Sequence, residues 1–382
     1  MKYKNKICVV SSSRADYNHL YPLMDKLKES KNHTLRIIVT GMHLIKKHGY
    51  TYKEIENDGF LINEKIATKQ INTTSTEILN SISNEIKGMT KSLIKIKPDV
   101  VLILGDRYDI FPVAIATHIL QIPLAHIHGG EITSGVIDDG IRHAITKLAN
   151  IHFVATSSFK KRVISMGENK KYVFNIGSLA VSGNRKIKRI SKNKILNQLN
   201  INNKEKYFLI TIHPETINES NRLLIKNILK AIKTFNNYFY IFTGTNSDTG
   251  ADIINDHIVS FVNKNKDKAR LIESSGRHMY VNLMRHASLV IGNSSSGIIE
   301  APSLKTVSIN IGNRQNGRPR SKSVFSSSYC VNDIQKVINK GLAFKTDNYK
   351  PIYKGSNSLN SILNILSNID KNSLLNKNFF DK

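Results

Sequence analysis

Residues 126–143, HIHGGEITSGVIDDGIRH, bring His126, His128, Glu131, Asp138, Asp139, Arg142 and His143 into one short window. Imidazoles and carboxylates this close suit three kinds of chemistry. They can hold a transition metal, exchange protons between groups of unequal strength, or satisfy one another in a buried polar turn. PLAHIH (123–128) predicts a strand, so His126 and His128 share a face by its two-residue period. GG at 129–130 ends the strand and lets a ligand come close. DDGIRH then opens a helix, with Asp138 and Asp139 at its start and Arg142 and His143 one turn along. Arg107 and Arg142 add positive charge to this region, which weighs against a bound cation.

Other polar residues fall in the same kind of place, directly after an apolar run. SSSRADY (11–17) follows the first run; its Arg14 can fork onto a phosphate or simply cap a helix. LGDRYDI (104–110) sets Asp106 and Arg107 at a strand exit, where an acid is either a helix cap or part of a site. TIHPET (211–216) puts His213 after a strand that Pro214 ends. TGTNSDTG (243–250) is another small polar loop. In IGNSSSGIIEAP (291–302), Ser294, Ser295 and Gly297 offer hydroxyls and backbone N–H groups to a diphosphate, and Glu300 offers a carboxylate to ribose hydroxyls. Arg314 stands in the next loop, GNRQNGRPR. Neither a Walker lysine nor a GxGxxG is present, so ATP hydrolysis and ordinary dinucleotide binding lose their best support.

The elements that hold these residues alternate. ICVV, LRIIVT, DVVLILG, PLAHIH and IHFVA read as strands buried on both faces, separated by amphipathic segments at 17–28, 74–96, 107–120 and 138–149. The 74–96 segment opens on TSTE, a capping box, and must stop before Pro98. A second series, YFLITI, YFYIFT, RLI, SLVIG and TVSINI, repeats the pattern. Such alternation predicts an α/β fold of two doubly wound, Rossmann-like parallel sheets facing a cleft, with ligands bound beyond the carboxyl ends of the strands. The polar, basic stretch at 177–206 reads as the linker. The expected domains are 1–180 and 181–356, followed by a segment 357–382 whose helix packs back towards the first domain; NKNFFDK (376–382) is expected to be mobile.

At 382 residues, 40% hydrophobic and 22% charged, the chain is ordinary globular material of two-domain length. The net charge of +27 favours anionic ligands, but Lys and Asn are spread throughout and no nucleic-acid motif concentrates them. Two distant cysteines make no disulfide framework and suit a reducing compartment. The short ICVV run is a strand rather than a signal peptide, and no run approaches a membrane span. A cytoplasmic enzyme without membrane or nucleic-acid partners is the expectation.

SRADY, TGMH (40–43), GDRYDI, HIHGGE, DDGIRHAITKLA, HPET, GNSSSG and IGNRQNGR resemble, in order and over residues 7–320, the hydrolysing UDP-N-acetylglucosamine 2-epimerases, closest to their bacterial sialic-acid (capsule) branch. The resemblance implies two Rossmann-like domains of the glycosyltransferase B type and no cofactor or metal. It also implies a homodimer or larger homo-oligomer. The implied reaction takes UDP-N-acetylglucosamine and water to N-acetylmannosamine and UDP for sialic acid biosynthesis, by elimination to a glycal and hydration. By resemblance Asp106, Glu131, Asp138 and His213 are catalytic. Arg14, Asn18, Arg107, Arg142, His213, Asn246, Ser275, Ser294, Ser295, Glu300 and Arg314 bind the UDP-sugar. Asn18 replaces a serine of some members, and His128 replaces the glutamate of HIEGGE. The fused kinase of human relatives is not expected in this chain. Four rivals stay open, the last of them a non-catalytic module that binds a UDP-sugar tightly without releasing UDP. One is the related hydrolysing enzyme for a UDP-diacetamido-bacillosamine in legionaminic acid synthesis. A second is the non-hydrolysing epimerase, which typically carries HRREN where this chain has HPETIN. The third is a glycosyltransferase of the same fold.

Overall fold

Side-chain alternation explains the unbroken apolar runs. In the first strand, β1 (Asn5–Ser11), Ile7 and Val9 enter one core while Cys8 and Val10 enter the core on the opposite face. A strand covered by helices on both sides needs an apolar residue at every position. A computed structural model describes residues 4–46, 49–68, 74–133, 137–215, 221–245, 250–273, 276–346, 349–353 and 357–381. It divides into two compact units: Met1–Glu131, Asp138–Gly183 and Lys354–Lys382 form the first, Ile132–Ile137 and Asn184–Tyr353 the second.

The first unit runs β1, α1 (Arg14–Lys28), β2 (His33–Val39), α2 (Tyr52–Asn57), β3 (Glu64–Lys65), α3 (Ser75–Ile96), β4 (Val100–Leu104) and α4 (Phe111–Ile119). It continues with β5 (Leu124–Ile127), α5 (Asp138–Leu148), β6 (Ile151–Val154), α6 (Ser157–Ser165) and β7 (Val173–Asn175). Its seven strands are parallel in the order β3-β2-β1-β4-β5-β6-β7. The order reverses between β1 and β4, the switch point at which open α/β sheets hold ligands. Thr74 caps α3 by accepting from Glu77 N at 3.3 Å, and Lys97 ends it in the left-handed conformation.

The stretch expected to be a free linker contains two helices, α7 (Leu179–Asn184) and α8 (Lys192–Gln198). Ser178, Leu179, Ile195 and Leu196 are buried; the abundance of Lys and Arg hides a sparse apolar pattern that packs. The second unit then follows with β8 (Lys206–Thr211), α9 (Asn221–Ile232), β9 (Tyr238–Thr243), α10 (Ala251–Lys264), β10 (Ala269–Ile272) and α11 (Gly276–His286). After these come β11 (Leu289–Gly292), α12 (Ser295–Ile299), β12 (Ser308–Ile311), β13 (Val324–Ser327) and α13 (Val331–Ala343). The sheet order is β10-β9-β8-β11-β12-β13, again all parallel and again reversed next to its first strand.

Helices α14 (Ser358–Asn368) and α15 (Lys371–Leu375) return to the first unit, where Leu359, Ile362, Leu366 and Leu374 join the core of Ile7 and Val9. Beyond them, Lys377 and Phe380 of the segment expected to be mobile are tied to the first unit. Lys377 Nζ reaches Glu168 Oε2 at 2.7 Å, Lys147 O at 2.6 Å and Ala149 O, while Phe380 N donates to Gly167 O at 3.0 Å. Burial works against the Glu168 charge, but the His152 hydrogen bond at 2.9 Å, Lys377 and Lys147 outweigh it and hold the carboxyl at about 2. Its folded value lies below its ordinary 4.5, so its contribution is present above that pH and is lost as pH falls towards 2. We expect Glu168→Gln to cost on the order of 2 kcal/mol at pH 7, a difference that vanishes near pH 2. Urea melts at the two pH values check it; an equal difference at both would leave Glu168 without its linkage.

Candidate functional site

In the first unit, five polar stretches meet the carboxyl ends of β1, β2, β4 and β5. Ser13 caps α1, and Asp16 closes the box by accepting from Ser12 N at 2.8 Å and Ser13 N at 2.7 Å. This turn presents Arg14 and Asn18, four residues apart and therefore on one face of α1, both partly exposed. After β2, Gly41 has φ +56, and a side chain there would run into Asp109 Oδ2 and Ser12 O. Only glycine lets β1, β2 and β4 bring their following loops this close. His43, fully buried, then bonds Ser11 Oγ at 2.9 Å and Thr51 Oγ1 at 2.8 Å. Burial pushes its imidazole below the ordinary value against the pull of Asp16 and Asp109.

After β4 come Asp106 and Arg107, both partly exposed. Arg107 lies 3.4 Å from Asp109 and 3.1 Å from the Met42 sulfur. Asp106 forms an ion pair with Arg142 of α5. Arg142 is 2% exposed and also donates to Asp139 Oδ1 at 2.8 Å and Glu131 O at 3.0 Å. Burial opposes its charge, but Asp106, Glu131 and Asp139 raise its pKa overall. The guanidinium expected to bind substrate is thus occupied by protein acceptors and fixes Asp106. Asp138 opens α5 and is partly exposed, and His143 sits 3.5 Å from Asp139.

The expectation that His126 and His128 share a strand face is corrected. β5 ends at Ile127, and His128 has φ +68, so the alternation stops before it. His126 is fully buried against Gly105 O at 2.7 Å, and loss of water drives its imidazole down to about 3. His128 turns towards Glu131, 3.9 Å away, and Glu131 is 2% exposed. Among the described residues no group of three His, Cys, Asp or Glu side chains could hold a metal ion.

In the second unit, Gly292 ends β11 with φ +139, and any side chain would collide with Thr211 O. Asn293 follows and clamps the half-buried His213, accepting from its N–H at 2.7 Å and donating to its carbonyl at 2.8 Å. Loss of water and then the Arg314 charge push His213 down to about 3, which keeps it neutral. Ser294 caps the five-residue α12, and Ser296 Oγ pairs with Tyr280 OH at 2.7 Å. Glu300 closes this helix and accepts from Asn184 at 2.8 Å. Glu215 of HPET accepts from the backbone of Asn313 and Arg314, both at 3.2 Å, and from Tyr329 OH at 2.6 Å, so it sets the loop that carries Arg314. Asn246 and Ser275 lie outside the described residues.

Sequence reasoning passed over Asp109, Glu85, Asn293 and Glu215. Three of them stand inside stretches already noted, GDRYDI, GNSSSG and HPET. Glu85 had a different signal: it shares the buried stripe of α3 with Ser81, Met89 and Leu93, where an acid is out of place.

The profile of the family described as UDP-N-acetylglucosamine 2-epimerase matches residues 25–367. The chain is 39% identical to a "GDP/UDP-N,N'-diacetylbacillosamine 2-epimerase (hydrolyzing)" of Campylobacter jejuni over 99% of both chains. It is 38% identical to "Polysialic acid biosynthesis protein P7" of Escherichia coli, over 98% of this chain and 97% of that one. A crystal structure of the UDP-N-acetylglucosamine 2-epimerase of Neisseria meningitidis, bound to UDP-N-acetylglucosamine, superposes with TM-score 0.81 at 19% identity. It covers 94% of this chain and 99% of that one, a likeness of fold. With two sheets in Rossmann order and a family match over most of its length, the chain belongs to the UDP-N-acetylglucosamine 2-epimerase family.

Proposed function

We propose that this enzyme is a hydrolysing 2-epimerase that converts UDP-N-acetylglucosamine and water into N-acetylmannosamine and UDP, for sialic acid biosynthesis. The observation that supports the hydrolysing reaction is the end-to-end identity of 39% with a relative described as a 2-epimerase (hydrolyzing), though of a diacetylbacillosamine nucleotide. In the first step a base takes the proton from carbon 2 while the C1–O bond breaks and its electron pair leaves with UDP, which yields a glycal. In the second, a proton returns to carbon 2 with the opposite configuration and a water hydroxyl adds to carbon 1. Asp106, Glu131 and Asp138 form the acid–base set of the first unit, and Arg142 orients Asp106 without touching substrate. Arg14, Asn18 and Arg107 meet the UDP-sugar, with arginine charge stabilising the departing diphosphate. In the second unit Ser294, Ser295, Glu300 and Arg314 bind UDP. His213, held neutral, can donate a hydrogen bond from one ring nitrogen and accept one at the other without adding a charge to the site.

A UDP-diacetamido-bacillosamine is the second substrate reading, favoured by that 39% identity and by 32% identity to a UDP-N,N'-diacetylbacillosamine 2-epimerase (hydrolyzing) of Legionella pneumophila. Incubation with each UDP-sugar in heavy water tests both. Free UDP and N-acetylmannosamine carrying one deuteron at carbon 2 is the expected outcome. A stable UDP-N-acetylmannosamine, or turnover of the diacetamido sugar alone, would overturn the primary reading.

A further inference from the structure

Arg107 is answered by more carboxyl than one cation needs. Asp109 is 1% exposed and lies 3.4 Å from the guanidinium, and Asp109 Oδ1 has no hydrogen-bond partner. A second carboxyl, that of Glu85, comes from the buried stripe of α3 to the same loop cluster and is fully buried. Glu85 Oε1 accepts from Thr40 Oγ1 at 2.8 Å, and Oε2 has no hydrogen-bond partner. Gly41 ties the two together, since its missing side chain is what makes room for Asp109. Among the described residues the charged or titratable groups around the pair are Arg107, His43 and, beyond His43, Asp16. Asp16 is already taken up by the α1 cap, and His43 is held neutral by burial. Among the described residues one cation therefore faces two buried carboxyls, and two buried negative charges beside one positive charge cost more than one.

We propose that Asp109 is a positioning residue for Arg107, and that the buried Glu85 carboxyl, by keeping its proton, leaves Arg107 with one carboxylate to answer rather than two. Burial and then Asp109 push Glu85 up to about 9, so it is protonated at neutral pH. Loss of that proton in alkaline solution adds a second negative charge behind Arg107 and draws the guanidinium away from substrate phosphate. Glu85→Gln copies the protonated form in shape and charge and cannot make this change. The inference rests on the role proposed for Arg107 in UDP-sugar binding.

The test is kcat/KM for UDP release, together with calorimetric UDP binding, from pH 6.5 to 10 for the full chain. The wild type is expected to lose activity and UDP affinity on an alkaline limb. Glu85→Gln keeps neutral-pH activity within about twofold and shifts that limb up by at least one pH unit. Asp109→Asn lowers kcat/KM by roughly 10- to 100-fold at all pH values, the scale of a misplaced binding group. A merely structural Glu85 would alter the melting temperature and leave the pH profile where it was. Superimposable profiles for wild type and Glu85→Gln, or undiminished turnover in Asp109→Asn, would overturn the inference and leave the proposed reaction standing. A wild type that neither binds nor releases UDP would overturn both.

Discussion

Glu131→Gln is expected to lower kcat by about 10²- to 10⁴-fold while UDP binding stays within about twofold. Glu131 follows β5 across the Gly129–Gly130 turn, is 2% exposed, and faces His128. The amide keeps the size of the carboxylate and can still accept a hydrogen bond, so the turn has little reason to rearrange. What it lacks is the capacity to take a proton from a weakly acidic C–H. The groups proposed to bind UDP, Arg107 and Arg314 among them, do not depend on that capacity. Steady-state kinetics and calorimetry on a variant shown to melt like the wild type separate the two effects. Near-normal turnover would take Glu131 out of the acid–base set and leave Asp106 and Asp138 to share it.

The second large effect is on stability. Arg142→Met is expected to destabilise the first unit by about 3 kcal/mol, the lower end for breaking a buried ion pair, and to lower its melting temperature by roughly 6–12 °C. Arg142 is the buried member of its network, while Asp106 and Asp139 keep 22% and 30% side-chain exposure, so water reaches the carboxylates left behind. That access sets the lower end of the range. The Glu131 carbonyl also loses its donor. Activity falls as well, because Asp106 is no longer held. A variant that melted like the wild type but bound substrate weakly would instead make Arg142 a direct ligand.

These two residues also mark what the sequence made legible. Where a strand is covered on both faces, every position is apolar, and β1, β4, β8 and β9 stand out as runs with polar residues just beyond them. Strand–helix alternation foretells parallel sheets but not their strand orders, whose switch points fall beside Arg14, Asp106, His213 and Ser294. The strands that escaped notice, β3, β7 and β13, lie at sheet edges. Edge strands are short and half-covered, so their pattern is weak. The roles within the site were less visible. Nothing in the spacing says that Arg142 points inward to three protein acceptors, because that depends on how α5 packs over β4 and β5. The period-two reading of HIH failed at a single backbone angle, the positive φ of His128. Glu85 announced itself only as an acid in an apolar stripe; its meaning required Gly41 and Asp109, which are distant in sequence.

The first unit is assembled from separated stretches of chain, and 354–382 is one of them. A ribosome releases residues in order, so the whole of the 184–353 sheet has emerged before that stretch does. Until then Ile7 and Val9 lack the cover of Leu359, Ile362, Leu366 and Leu374, and Glu168 lacks Lys377. The second sheet can close on its own residues during synthesis. The unit translated first is the one that must wait, holding its apolar face open for the length of a whole domain.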